Sequence, residues 1–306
     1  MRDVDDPMHQ RTEVQGAAVT TNPHGAFPRA WRHLTGGLVY GLVLAYAVAI
    51  LLPFYFLLVS SFKTTSEVFA SPLGLPTSLN EGWLNFQMAE AQGQLFLALG
   101  NSLLITAGAE ILTLVLAIPA AFGIARSRSR VAGFLEVGFG VAFLIPPFAL
   151  LVPTFLLAAS TGLFQTRLFV ILFYPAMALP LAVIILVRFM RAIPPELEES
   201  AVMDGASRSA ILLRIYAPLA MPGIATVVVL NFLTFWNEYI FALIILGPDI
   251  QTRTIQMAIP TLRGSRMIDF GLLGAGTVIS LVVVYLVYGL MQKRMHLALT
   301  AGAVKG

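Results

Sequence analysis

The residues able to do chemistry are few, and their spacing does not suit catalysis. The chain has no cysteine, which excludes thiol nucleophiles, thiolate metal sites and disulfides. Its four histidines, His9, His24, His33 and His296, stand in the terminal regions. No His-x-x-x-His pair occurs, so no zinc site and no other metal is expected. No Gly-x-Ser-x-Gly elbow is present. None of the three lysines, Lys63, Lys293 and Lys305, follows a glycine, so a P-loop for ATP is absent. Without a convergent acid, base and nucleophile, the chain is not expected to be an enzyme or to bind a cofactor itself. What remains is carboxylate chemistry of two kinds. Glu110, Glu136 and Glu238 lie inside strongly apolar stretches, where a carboxylate tends to face protein or a water-filled cavity. Trp236-Asn237-Glu238-Tyr239 combines hydrogen-bonding groups with aromatic faces, which suits a path for a polyhydroxyl solute. It suits a polar contact with a partner helix equally well, and Glu110 carries the same two readings. The second kind is an acidic run, Glu196, Glu198 and Glu199, followed by Asp204-Gly205.

The elements that position these groups follow from composition. Of 306 residues, 58% are hydrophobic and 11% charged, too few charges to cover a soluble surface. A soluble globular protein and a disordered one are both excluded. Six apolar stretches, at 36–59, 98–125, 134–159, 168–187, 223–246 and 270–291, are long enough to cross a bilayer as helices. The predicted class is an all-α membrane protein with six transmembrane helices. The first stretch follows a polar tail, residues 1–35, expected to be disordered, and has no cleavage site, so it reads as retained. The segment to residue 97 should be an external loop with short helices, and the body runs from 98 to 291. No internal repeat is visible. Of the 19 lysines and arginines, 14 fall on the side of both termini and 5 on the other. That bias predicts both termini, including the tail 292–306, in the cytoplasm, with lipid around the spans.

The connection 191–222 is longer than topology requires. Pro195 suits a helix start, and the acids after it suit the positive end of the helix dipole. Leu197, Ala201 and Val202 fall at helical spacing. Asp204-Gly205 ends that helix, and Ser207 can cap a second one ending near Pro218. Two short helices joined at a bend are predicted. This segment resembles the Glu-Ala-Ala…Asp-Gly…Pro signature of permease subunits in bacterial ATP-binding cassette importers. Here it reads Glu199-Ser200-Ala201, two residues, Asp204-Gly205, and later Ala217-Pro218-Leu219. Ser200, Leu212 and Ala217 depart from the family pattern but approximately keep size or apolarity. Gly100-Asn101-Ser102-Leu103, Trp236-Asn237-Glu238-Tyr239 and the C-terminal run through Thr300, Gly302 and Lys305 are similar to the sugar-importer branch, in particular the second permease of the maltose-type system.

The resemblance implies a MetI-like fold and a bacterial inner-membrane location. It implies a second permease, two ATPase subunits that use ATP and magnesium, and an external solute-binding protein; nucleic acid is not a partner. It makes the 191–222 loop a coupling helix docking on an ATPase. Glu199 would then be a charge partner, with Glu196 and Asp204 beside it. Leu197, Ala201 and Met203 would form the apolar contact, and Gly205 would allow close backbone approach. The tail would reach toward the ATPases. Two other readings remain open at this level. One is an ATP-independent secondary transporter or channel. The other is an importer for a non-sugar solute such as a glycerol phosphate, with Arg253 or Arg263 at its entrance.

Overall fold

A chain this apolar must close its backbone hydrogen bonds within each segment, and helices do so. The computed structural model describes residues 29–262 and 268–303, with no strand among them. Helix α1 is Arg29–Ser60. Two short helices follow, α2 (Thr65–Ala70) and α3 (Leu79–Gly93). Then come α4 (Leu95–Arg126), α5 (Arg130–Phe143), a 3₁₀ turn at Pro147–Leu150, and α6 (Leu151–Ser160). Helix α7 (Arg167–Arg191) leads into α8 (Glu196–Met203), α9 (Arg208–Ile211), a π turn at Leu212–Tyr216 and α10 (Ala217–Leu219). The chain ends with α11 (Met221–Asn237), α12 (Ile240–Leu246), α13 (Ile255–Ala258) and α14 (Phe270–Ala303).

Four of the six expected spans are single helices long and apolar enough to cross a membrane: Leu38–Ser60, Leu95–Arg126, Arg167–Arg191 and Phe270–Leu290. The other two are broken. The third is α5 and α6 with its 3₁₀ turn, bent by 95° at the Pro146-Pro147 pair, whose nitrogens carry no hydrogen to continue the ladder. The fifth stops at Asn237 and resumes at Ile240. No proline sits at that break; side chains compete for the backbone there, as described below. Pro53, Pro119, Pro175 and Pro180 lie inside continuous helices.

The chain divides into two compact units, residues 1–53 and 54–306. In the first, α1 presents mostly exposed apolar side chains from Leu38 onward. The second holds the packed body. There α4 lies along α7, with Ala109, Ala117 and Ala121 wholly buried. Small residues let helix backbones approach closely, which matters where lipid removes the hydrophobic drive for helices to pair. One buried cluster joins Ala121, Leu186, Met190, Ile211 and Tyr216 beside the 191–222 loop. Another joins Leu95, Phe232, Trp236, Ile255 and Leu272. Within the expected tail, α14 continues through Thr300 and Gly302 to Ala303; Lys305 and the residues before Arg29 lie outside the described residues.

Candidate functional site

The 191–222 loop folds as two short helices around a built bend. Pro195 supplies the N-cap of α8, and Glu196, Glu198 and Glu199 occupy its first turn. At its other end Gly205 takes φ +77°, a left-handed value that suits glycine. The Ala206 amide donates to the Ala201 carbonyl at 2.9 Å and the Gly205 amide to the Val202 carbonyl at 3.0 Å. This pair of bonds is a Schellman closure, with Asp204 as the C-cap. The Ser207 hydroxyl then accepts from the Ala210 amide and starts α9. Pro218 has no amide hydrogen to give to Arg214, and the chain widens just before it into the π turn, closed by the Ala217 amide on the Leu212 carbonyl.

The face α8 turns outward is specific. Glu196, Glu199 and Asp204 are exposed, Leu197 is 44% exposed and Met203 87%. Ala201 is half-buried against the cluster of Ile211 and Tyr216, so of the three expected apolar contact residues it turns inward, and Val202 stands outward in its place. Close approach at Gly205 is not what this chain itself demands. A Cβ there meets nothing within 4 Å, and the requirement is the backbone angle. Glu198 differs from its two acidic neighbours. Its carboxylate takes the Arg126 Nε at 2.6 Å and the Tyr216 hydroxyl at 3.0 Å, while the Arg126 guanidinium lies over the Tyr216 ring. Glu198 thus ties α8 to the end of α4. Sequence spacing does not separate it from Glu199; only the packed face does. Glu136, inside the third apolar stretch, pairs with Arg191 through two bonds of 2.6 and 2.7 Å in the open. An exposed pair of this kind is worth about 1 kcal/mol or less.

The second group surrounds the break between α11 and α12. Trp236 is buried and donates from Nε1 to the Ser280 hydroxyl at 3.2 Å. Glu238, expected mid-span as a path or interface residue, stands just past the last helical residue of α11. Glu238 is extended, and its carboxylate accepts from the Phe241 amide at 2.8 Å, the Ala242 amide at 2.9 Å and the Tyr174 hydroxyl at 2.7 Å. It caps α12 and ties it to α7, which makes an internal joint. Asn237 and Tyr239 instead stay exposed. Asn237 donates to the Leu233 carbonyl at 2.8 Å and meets Gln256 Nε2 at 3.4 Å. Side-chain bonds of this kind compete with the helix ladder, which is why the span breaks without proline. Glu110 is enclosed between α4 and α11, facing Asn231, with neither carboxylate oxygen in a hydrogen bond among the described residues.

The Asn101-Ser102 motif holds the connection between α12 and α14. Asn101 donates to the carbonyls of Gln251 and Arg253 at 2.9 and 3.0 Å and accepts from Arg167 at 2.7 Å. The Ser102 hydroxyl accepts from the Ile255 amide at 2.8 Å. Arg253, expected as an entrance residue, is buried and donates to the Gly93 carbonyl at 2.6 Å. Arg263 lies outside the described residues. No metal-ligand cluster occurs among the described residues.

The fold is that of a multi-span helical membrane protein with two broken spans and a bent pair of short helices between α7 and α11. Residues 113–299 match the family of binding-protein-dependent transport system inner membrane components, and the chain belongs to that family. A probable ABC transporter permease of Bacillus subtilis is 31% identical over 270 residues, covering 88% of each chain. A diacetylchitobiose uptake system permease of Streptomyces coelicolor is 26% identical, covering 92% of this chain and 98% of that one. In fold, the chain resembles a bacterial ABC transporter involved in import of the acidic polysaccharide alginate, with a TM-score of 0.76 at 21% identity over 88% of this chain and 99% of that one. This chain is therefore a multi-pass inner-membrane permease of the ATP-binding cassette importer class, a transport component and not an enzyme.

Proposed function

We propose that this chain is one of two permeases of a carbohydrate importer, carrying a sugar, oligosaccharide or polyol delivered by an external solute-binding protein. Two ATPase subunits bind ATP and magnesium and drive it. The observation that carries the coupling role is the α8 bend, which holds Leu197, Val202 and Met203 outward beside Glu196, Glu199 and Asp204 while Glu198 anchors the helix from behind. An apolar patch rimmed by acids on a rigid support is suited to a docking cleft with basic walls. From α8 the chain runs through α9 and α10, turns by 75°, and enters α11 directly, so displacement of α8 is passed to a membrane span. ATP-driven closure acts by favouring one of two positions of α8 through differential contact. The excess of lysine and arginine on one side supports both termini in the cytoplasm. Helix α14 would carry Thr300 and Gly302, and then Lys305, toward the ATPases.

The carbohydrate class is supported by relatives named for uptake of diacetylchitobiose and of starch degradation products. Arg253, one of the two cations expected at an entrance for a phosphorylated solute, is buried on the Gly93 carbonyl. The test is co-purification. The tagged chain, extracted from native membranes in mild detergent, is expected to bring an ATPase and a second permease. Its binding protein, isolated from the same cells, is expected to retain a sugar identifiable by mass. A single species without ATPase in several detergents would overturn the reading in favour of an ATP-independent carrier.

A further inference from the structure

Three arginines converge where the described fold gives them only one anion. A cavity of about 250 Å³ lies between the end of α4 and the α8–α9 bend, lined by Arg126, Arg128 and Arg208 and by a single carboxylate, Glu198. Glu198 pairs with Arg126, so two positive charges are left over among the lining residues. Arg126 is held in place: its Nε donates to Glu198 at 2.6 Å, and its guanidinium lies 5.5 Å from the centre of the Tyr216 ring. Its terminal nitrogens have no acceptor among the described residues. Arg128, in the link to α5, and Arg208, the first residue of α9, are exposed and make no ion pair among the described residues. A guanidinium offers a planar fork of donors that matches the oxygens of a phosphate, and an anion relieves the repulsion of several such forks around one space.

The flanking residues give the cavity the character of a membrane surface. Phe122, near the end of the α4 span, is one of its walls. Helix α5 begins at Arg130, and its first turns leave Val131 and Phe134 exposed. Apolar side chains directly after a run of arginines suit a helix that leaves the headgroup layer for hydrocarbon.

We propose that this cavity is a site for a phosphate oxyanion, held by Arg126, Arg128 and Arg208. Two sources carry that chemistry, the headgroup of an anionic phospholipid and free phosphate. The bound group ties Arg208 at the bend to Arg128 at the end of α4, and so adds a second polar anchor behind α8. This ligand is separate from the cargo, and its site holds whatever solute is carried.

The test uses the assembled transporter, stripped of lipid in a neutral detergent and titrated with phosphatidylglycerol, with phosphatidylcholine as the uncharged control. Bound lipid is counted by native mass spectrometry. Wild type should retain phosphatidylglycerol, and Arg128→Gln/Arg208→Gln should weaken that retention at least about tenfold through the loss of two charge-assisted contacts. Arg128→Gln alone keeps the test available if the double variant does not assemble. Arg188→Gln/Arg214→Gln removes the same charge from exposed arginines outside the cavity and should retain lipid as wild type does. Inorganic phosphate is the second arm. Displacement of the lipid by phosphate in wild type would support the site and extend it to the free anion; retention of lipid unaffected by phosphate would support it with the membrane as the source. Equal retention by the two double variants would overturn the site in favour of diffuse attraction to a basic surface. Failure of wild type to hold either phosphatidylglycerol or phosphate would overturn it too.

Discussion

Gly205 occupies a backbone state that costs other residues about 1–2 kcal/mol. Its surroundings are open, so a larger side chain meets no clash in this chain and the cost is conformational. Gly205→Val is expected to loosen the α8–α9 bend without unfolding the bundle. The amount of protein in the membrane should stay unchanged, uptake per assembled complex should fall, and loaded binding protein should no longer stimulate ATP hydrolysis; normal uptake would remove the bend from the coupling route. At Glu238 the expectation differs. Glu238→Ala removes three acceptor contacts at an internal joint, a loss of about 2–3 kcal/mol. It should appear as a lower unfolding temperature in detergent rather than as altered solute preference. Glu67 reports pH. It accepts from Thr77 and from the Thr64 amide, and those bonds, Thr77 first, hold its carboxyl below its ordinary value. A value lowered in the folded state means the stabilisation is complete above the ordinary carboxylate range and is lost as pH falls through the folded value. Protection of the amides over residues 64–77, taken relative to their intrinsic exchange rate at each pH, should be steady from about pH 7 to 5 and fall below about pH 4.

At the scale of elements, α8 is held by one polar anchor and one apolar one. The anchor is Arg126–Glu198 with Tyr216, partly shielded from solvent. Charge pairs that share a hydrogen-bond partner do not contribute additively. Arg126→Ala and Glu198→Ala should each lower stability, and the double variant should cost less than their sum by about 1 kcal/mol. A double-mutant cycle on thermal unfolding measures this, and uptake on the same variants shows whether loosening α8 slows transport. Additive losses would mean that the contact exists but carries no coupling. The break between α11 and α12 belongs to the same scale. A continuous helix would keep its ladder unbroken; here the side chains of Asn237 and Glu238 take backbone partners for themselves.

For the whole molecule, charge asymmetry predicts orientation. Reporter fusions after residue 306 and before residue 1 should both be active only in the form that functions in the cytoplasm, while a fusion in 248–252 should behave as external. A C-terminal reporter active outside would invert the 191–222 loop and with it the coupling assignment. Two compact units follow from composition as well as packing. The first, ending at Pro53, contributes an apolar helix with mostly exposed side chains, and the second carries both candidate sites.

Composition, span lengths and the Asp204-Gly205 punctuation determine a helical membrane protein with two short helices between its fourth and fifth spans. Those features are local, set by hydropathy over about twenty residues and by one left-handed angle, and a linear reading recovers them. The tertiary structure alone decided the rest. It showed that Glu198 rather than Glu199 is the anchored acid, and that Ala201 faces its own core. It showed Glu238 capping α12 while Asn237 and Tyr239 stay open, and Arg253 closed over Gly93. In each case the residue type is compatible with both roles. The choice depends on which face another element covers, and for Glu198 with Arg126, Glu238 with Tyr174 and Arg253 with Gly93 that contact lies dozens to more than a hundred residues away along the chain.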